Sequence, residues 1–280
     1  MEGIDYKNFD AVVSKMRTFF RDVKGYKEVH TQNKLSILAA CEDPTTIATY
    51  NYNGQLWPLP QTGQMWLEHY LLEHPEEDGF FCVSTSYRNE PNPVEGRHDK
   101  IFPMFEFELK GGIDELRKVE MELLDYLGFN KEGETMTYPR DDYDNIAKKY
   151  DVEELDHIHE EYIERDFGKA FFLENFPRRT SPFWNMKHTE DKEHANKIDV
   201  IIHGIETIGS AERSNDPSQM KEMFNTISDG GYANILFAQF GKERVEKELE
   251  DFLKKDFFQR SGGGIGMTRM IRAMKLSNLI

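Results

Sequence analysis

The 280-residue chain carries only two cysteines, Cys41 and Cys82, and they are not spaced as a CxxC pair. That excludes a thiolate zinc site and a redox dithiol, and both residues sit in apolar context that reads as buried, reduced thiol. No apolar run approaches the roughly 20 residues that span a bilayer. The opening MEGIDYKNFD carries acids where a secretory signal would need an apolar core. A soluble, cytoplasmic protein without membrane contact is therefore expected. Basic clusters are missing as well. The 35 lysines and arginines are interleaved with 51 acids, for a net charge of −16. Such a surface repels phosphate backbones, so no extended contact with nucleic acid is expected. With no internal repeat, low-complexity stretch or linker, one domain over residues 1–280 is the simplest account.

What is present is a mixture of strand and helix signals. Phe9, Val12, Val13, Met16, Phe19, Phe20 and Val23 recur at helical spacing, which predicts an amphipathic helix over 7–24, stopped by Gly25. Strand-like alternation follows at 26–31. A second helix is predicted at 61–74, then strands at 80–90 and 101–109 around a Pro-, Asn- and Gly-rich loop at 91–100. A helix over 113–128 ends at Gly128, and the charged segment 131–170 reads as helical. IDVIIHGIE (198–206) reads as strand then turn, with further helices at 217–228, 242–255 and 267–276. Strands and helices without regular β-α-β alternation predict an α+β fold built on an antiparallel sheet flanked by helices.

The run SGGGIGMTR (261–269) admits several readings. A dinucleotide loop needs an acid about 20 residues downstream, and only 14 residues follow Gly266. A phosphate loop of the Walker type needs Gly-Lys-Ser/Thr, which is absent. A loose tail is countered by Met267, Met270, Ile271 and Met274, whose spacing gives the closing helix a face to bury. The glycines would then form a bare strand leading into a helix that offers Arg269 to an anion, where a planar guanidinium donates paired bonds. Farther upstream, Arg88 and Glu90 on a strand, Arg97 and His98 on the loop, and Phe102 and Glu106 on the return strand could together hold a nucleoside triphosphate. The competing reading is a surface Arg88–Glu90 ion pair with Phe102 in the core. Spacing alone leaves both open.

R-x-E, then R-H, then F-x-x-x-E resembles motif 2 of the class II aminoacyl-tRNA synthetases, and GIGMTR resembles their motif 3. The helix and strand ending in GYKEVHT resemble motif 1, without the proline usual at its end. QTGQMWLE (61–68) and DVIIHGIETIGSAER (199–213) are similar to elements of the aspartyl and asparaginyl subgroup, nearest to its archaeal-type asparagine synthetase-related members. No counterpart of that subgroup's N-terminal OB-type anticodon domain is expected, since motif 1 starts within the first ten residues.

The resemblance implies the class II catalytic fold, ATP and Mg²⁺ as cofactors, and a homodimer packed through the 7–24 helix. It implies Arg88, Arg269 and Glu206 as the catalytic residues, and Glu206 as the Mg²⁺ ligand. Arg88 would hold the α-phosphate and the substrate carboxylate, and Arg269 the γ-phosphate. Arg97 and His98 would reach the β/γ end, Phe102 would stack adenine against Arg269, and Glu90 and Gly266 would complete the ATP site. Glu42 and Gln64 would bind the amino-acid ammonium group, with Glu68, Glu106, Arg213 and Gly264 around the rest of the amino acid.

Three positions depart from the subgroup. Arg260 replaces the usual histidine before the glycines. Gly263 replaces an aromatic and is expected to open space near the active site. Leu67 stands where the aspartate enzymes carry lysine, while Glu68 matches the asparagine enzymes. The implied activity is an AMP-forming ligase that turns aspartate, ammonia and ATP into asparagine, AMP and pyrophosphate without tRNA, with Glu68 receiving the ammonia as ammonium. Alternatives are an adenylate-forming ligase placing an amino acid on a protein or small amine, and a non-catalytic paralogue with a regulatory binding role. The small-molecule substrates are then L-aspartate or L-asparagine, ATP and ammonia. Away from these motifs, His203 reads as a packed histidine rather than a ligand, and His157 and His159 lie on different faces of a helix.

Overall fold

The computed structural model describes residues 4–31, 37, 44–91, 93, 99–130 and 137–280. Eight strands form one sheet, from edge to edge β1 (Lys27–Glu28), β4 (Gly79–Tyr87), β5 (Ile101–Lys110), β10 (Arg260–Gly266), β9 (Ile205–Glu212), β8 (His194–Ile202), β7 (Ala170–Pro177) and β6 (Arg140–Asp142). Every interior pairing is antiparallel, and only the two edge strands run parallel to their neighbours. Residues Thr49–Tyr52 (β2) and Gln55–Pro58 (β3) pair separately as a hairpin. The expected α+β class with an antiparallel sheet is the class observed.

Side-chain alternation divides the sheet into two faces. Along β5, Phe105, Phe107 and Leu109 point one way, into a core shared with α1 (Tyr6–Thr18), α3 (Ile113–Leu127) and α9 (Met267–Leu276). Met104, Glu106 and Glu108 point the other way. On this second face α2 (Gln64–Glu73) covers one corner. Helices α6 (Pro217–Thr226), α7 (Gly231–Phe240) and α8 (Lys242–Leu253) build a second core around Trp184, and α4 (Tyr143–Lys149) and α5 (His157–Phe167) a third against β7. The space left among these groups is the cavity described below.

Local chemistry sets the ends of the elements. Asp5 caps α1 by accepting from the Lys7 and Asn8 amides. The helix continues into a wider π turn over Phe19–Val23 and is closed by Gly25 at φ 78°. Gly128, at φ 98°, ends α3 in the left-handed region, which costs a glycine nothing. The closing helix occupies the predicted 267–276. In 131–170 the structure differs from the helical expectation: β6 and two short helices occupy its described part, since Asp142 and Asp156 start new helices. In 198–206 the turn falls at His203 and Gly204, both at positive φ, so the segment is one hairpin of β8 and β9. His203 is packed, with its ring nitrogens bonded to Glu164 and Ser277.

One buried acid lies off the cavity. Glu120 on α3 is fully buried beneath the sheet, beside Ser210 and near Glu174 and Arg117. Burial pushes its carboxyl up to about 8. The native state therefore keeps a proton that the unfolded chain releases near pH 4.5, so stability falls as pH rises between those values and levels off above. Glu120→Gln should remove that slope, gaining on the order of 5 kcal/mol at pH 8.5 and little at pH 4.5. Urea midpoints at the two pH values read the difference, and equal slopes for both proteins would refute it.

Candidate active site

A cavity of about 330 Å³ opens over β5, β10 and β9, roofed by α2 and the chain around Phe183–Met186. Its floor is the glycine strand. In β10, residues 262 and 264 face the cavity and 263 faces away, as their register partners require. A Cβ on Gly262 would lie 2.3 Å from both the Phe107 carbonyl oxygen and Glu108 Cδ. A Cβ on Gly264 would lie 2.6 Å from Met104 Cε and 2.9 Å from Gln64 Nε2. These glycines keep the floor low enough for neighbouring side chains to cross it. Gly263 corrects the expectation stated for it. Its missing Cβ would meet Ser210 Cβ at 2.5 Å on the opposite face of the sheet, so it opens no space in the active site.

At one end, three cations gather around Glu206. Arg88 follows β4, where its amide donates to the Lys100 carbonyl at 2.8 Å and fixes the base of the loop. Its guanidinium lies 5.5 Å from the centroid of the Phe102 ring. Arg269, from the first turn of α9, donates to the Glu206 carbonyl at 2.7 Å and lies 3.6 Å from its carboxylate. Confinement opposes charge on Glu206, but Arg269, Lys197 and Arg88 outweigh it and hold the carboxyl below its ordinary range. Arg88, Arg269 and Lys197, the last also paired with Asp199 at 3.3 Å, are the cations that a polyanion would meet here. Arg88 lies over Phe102, while Arg269 bonds to Glu206. Glu90 and Gly266 line this end too.

The donor set here fits a hard cation. On the paired strands β8 and β9, Asp199 lies opposite Gly209. A Cβ on Gly209 would sit 2.9 Å from Glu206 Oε1 and 3.6 Å from Asp199 Oδ1, so two carboxylates flank one bare position. No cluster of three or more His, Cys, Asp or Glu side chains suited to a metal ion occurs among the described residues. A Mg²⁺ ion would complete its shell with phosphate oxygens and water, its usual habit at nucleotide sites.

At the other end, charges are matched in pairs. Arg213 donates through Nε (3.0 Å) and Nη2 to Glu108 Oε1, and through Nη2 to Gln64 Oε1 at 2.8 Å. Arg260 donates through Nε to Glu68 Oε2 at 2.7 Å, with Nη1 spread over Ser214, Asn215 and Phe258 oxygens. Asn185 donates to Glu68 Oε1 at 3.0 Å. Burial pushes the Glu108 carboxyl up to about 7, with Arg213 opposing.

Glu68 lines the cavity, where Arg260 and Asn185 each donate to one of its oxygens. One expectation changes here. Glu106 faces the same side of β5 as Glu108, yet the Thr62–Gln64 turn covers it. Its carboxylate accepts from the Gly63 amide at 2.8 Å, the Ser84 hydroxyl at 2.5 Å and the Thr62 hydroxyl, so it anchors the start of α2 instead of binding substrate. Burial raises the Glu106 carboxyl despite these bonds.

The structure thus brings Arg88, Glu90, Phe102, Glu206, Gly266, Arg269, Gln64, Glu68, Arg213 and Gly264 to one cavity. Glu42, Arg97 and His98 lie outside the described residues. Sequence reasoning missed Glu108, Asn185, Lys197 and Asp199. Glu108 was legible as the residue two beyond Glu106 on one strand face, and Asp199 opened a quoted segment without being assigned. Nothing in FWNMKH (183–188) marks Asn185.

Comparison with known proteins places these features in a wider set. Residues 6–280 match the family model for tRNA synthetases class II (D, K and N). A curated aspartate–tRNA(Asp) ligase of Thermoplasma volcanium is 24% identical over 230 residues, covering 74% of this chain and 53% of the relative. That of Thermococcus kodakarensis is 20% identical, covering 96% and 64%. The chain thus spans about half to two thirds of the length of these relatives. The crystal structure of asparaginyl-tRNA synthetase from Pyrococcus horikoshii complexed with asparaginyl-adenylate superposes with a TM-score of 0.77 at 19% identity, covering 96% of this chain and 64% of that one.

Proposed function

Because the chain belongs to the class II tRNA synthetases of the D, K and N group, we propose that it activates an amino acid of the aspartate/asparagine class as its adenylate. The observation that carries this reading is one cavity whose two ends differ: Arg88, Lys197 and Arg269 around Glu206 at one, and the charge-matched Glu68, Glu108, Arg213 and Arg260 at the other.

In the proposed reaction, a carboxylate oxygen attacks the α-phosphorus of ATP. A phosphorus–oxygen bond forms, the bond to the β-phosphate oxygen breaks, and pyrophosphate leaves with its electrons. No proton needs to move, so the work is positioning and charge neutralisation. Arg88, beside Phe102 at the strand end, meets the charge that builds at phosphorus. Arg269 leaves Glu206 for the outer phosphates, and the glycine floor lets both ligands lie against backbone. Mg²⁺, when held by Glu206 and Asp199, supplies charge neutralisation on the phosphates.

Amino-acid-dependent exchange of labelled pyrophosphate into ATP tests the proposal. Exchange with aspartate or asparagine is expected. None with any standard amino acid would leave the chain a binding protein. The acceptor is a separate matter. The aspartate–ammonia ligase expectation rests on the resemblance. Asparagine made from aspartate, ATP and ammonium would establish it. The relatives named above are tRNA ligases, so tRNA charging is assayed beside it. A homodimer through α1 stays a proposal, motivated by the exposed Tyr6 and Val23 at the ends of that helical segment.

A further inference from the structure

We propose that the charge-matched end of the cavity selects a side-chain carboxamide, asparagine in preference to aspartate or lysine, and that Glu108 and Asn185 make the choice. This rests on the adenylate reading and names the substrate of the same site.

Two buried residues that line this cavity, each with an acceptor oxygen that has no hydrogen-bond partner among the described residues, carry the inference. Glu108 is fully buried, and while its Oε1 takes both Arg213 donors, its Oε2 has no hydrogen-bond partner among the described residues. Asn185 is 1% exposed. Its Nδ2 is committed to Glu68, 3.0 Å away, and faces Met65 Sδ at 3.3 Å, so the amide cannot turn over without putting oxygen against carboxylate. Its Oδ1 is therefore left without a partner as well. Both residues line the cavity, where Arg213 donates to Glu108 and Gln64.

With Glu108 ionised, as above pH 7, the charges at this end sum to nothing. Arg260 offsets Glu68 and Arg213 offsets Glu108. A fitting ligand group brings N–H donors for two oxygens and no net charge. A primary carboxamide meets both conditions. A β-carboxylate brings only acceptors, sets an unmatched charge against two bare oxygens and leaves them unpaired once water is expelled. An ammonium brings donors but adds a positive charge beside two guanidinium groups. Sites built to bond a substrate N–H discriminate strongly for this reason, because the analogue lacking it strands their buried polar groups. Asparagine offers only its α-carboxylate for activation, so such a site excludes aspartate–ammonia ligation as the main reaction.

Calorimetry of the full chain with asparagine, aspartate and lysine, without ATP, reads the choice directly, and exchange kinetics read it again. Asparagine should bind at least about 100-fold more tightly than aspartate, within the range such sites reach. Glu108→Gln keeps an oxygen for Arg213 and turns an NH₂ toward the cavity, so it should move the asparagine-to-aspartate ratio at least tenfold toward aspartate. Asn185→Ala should lower the ratio at least tenfold through KM, with kcat little changed. Equal or tighter binding of aspartate by the unaltered chain overturns the proposal, as does no binding of either amino acid. An unchanged ratio in a folded Glu108→Gln chain overturns it too. Preferential binding of asparagine without exchange would sink the adenylate reading and leave this inference standing.

Discussion

Replacing Arg88 with alanine is expected to lower amino-acid-dependent ATP–pyrophosphate exchange by about 10³-fold, the loss of roughly 4 kcal/mol of transition-state stabilisation. The reasoning is electrostatic. Nothing in adenylate formation asks for a proton, so the barrier lies in gathering negative charge at one phosphorus beside an incoming carboxylate. Arg88 is placed for that by its own backbone, which bonds to Lys100 across the base of the loop. The ring of Phe102 holds the guanidinium in line. The alanine variant should fold, since the strand bond is made by the main chain and the side chain is only partly buried. Arg88→Lys separates charge from shape. It keeps the charge but loses the planar fork, and should recover only a small part of the rate. Exchange at the unaltered rate in Arg88→Ala, with an unaltered melting curve, would remove Arg88 from the chemistry.

What could be read in the chain follows from which forces are local. The closing helix was legible to its last residue because Met267, Met270, Ile271 and Met274 form one stripe and Gly266 precedes it. The glycine strand was legible as a floor, yet the direction of each glycine was not. Only the pairing of 262, 263 and 264 with Glu108, Phe107 and Glu106 shows that Gly263 looks away from the cavity. The same register explains the exchange of roles between Glu106 and Glu108. Both point to one face, and which is covered depends on the turn at Thr62–Gln64, far away in sequence. Helix α7 went unseen because GYANILFAQF is apolar on nearly every side, and a helix wrapped in other helices has no polar face to give a period.

Arg260 was visible as a departure from the family pattern and Glu68 as a match to its asparagine enzymes, and the structure makes them a single feature. They lie 192 positions apart and form a buried ion pair, 0% and 1% exposed. Arg260 rests its guanidinium 4.7 Å from the centroid of Phe257 and reaches three oxygens besides the glutamate. Removing one partner strands the other charge. Arg260→Met and Glu68→Leu are each expected to cost about 3–5 kcal/mol in denaturant titration, large against the stability of an ordinary domain. The double replacement should cost far less than the sum, because two apolar side chains of similar volume need no partner and the desolvation of both ions is relieved. Activity should part company with stability in the double variant. With both charges gone, Asn185 loses the carboxylate that fixes its amide, its oxygen is free to turn away from the cavity, and the preference for asparagine should fall even where the fold is restored. Single and double variants that lose equal stability would show that the pair does not act as a unit.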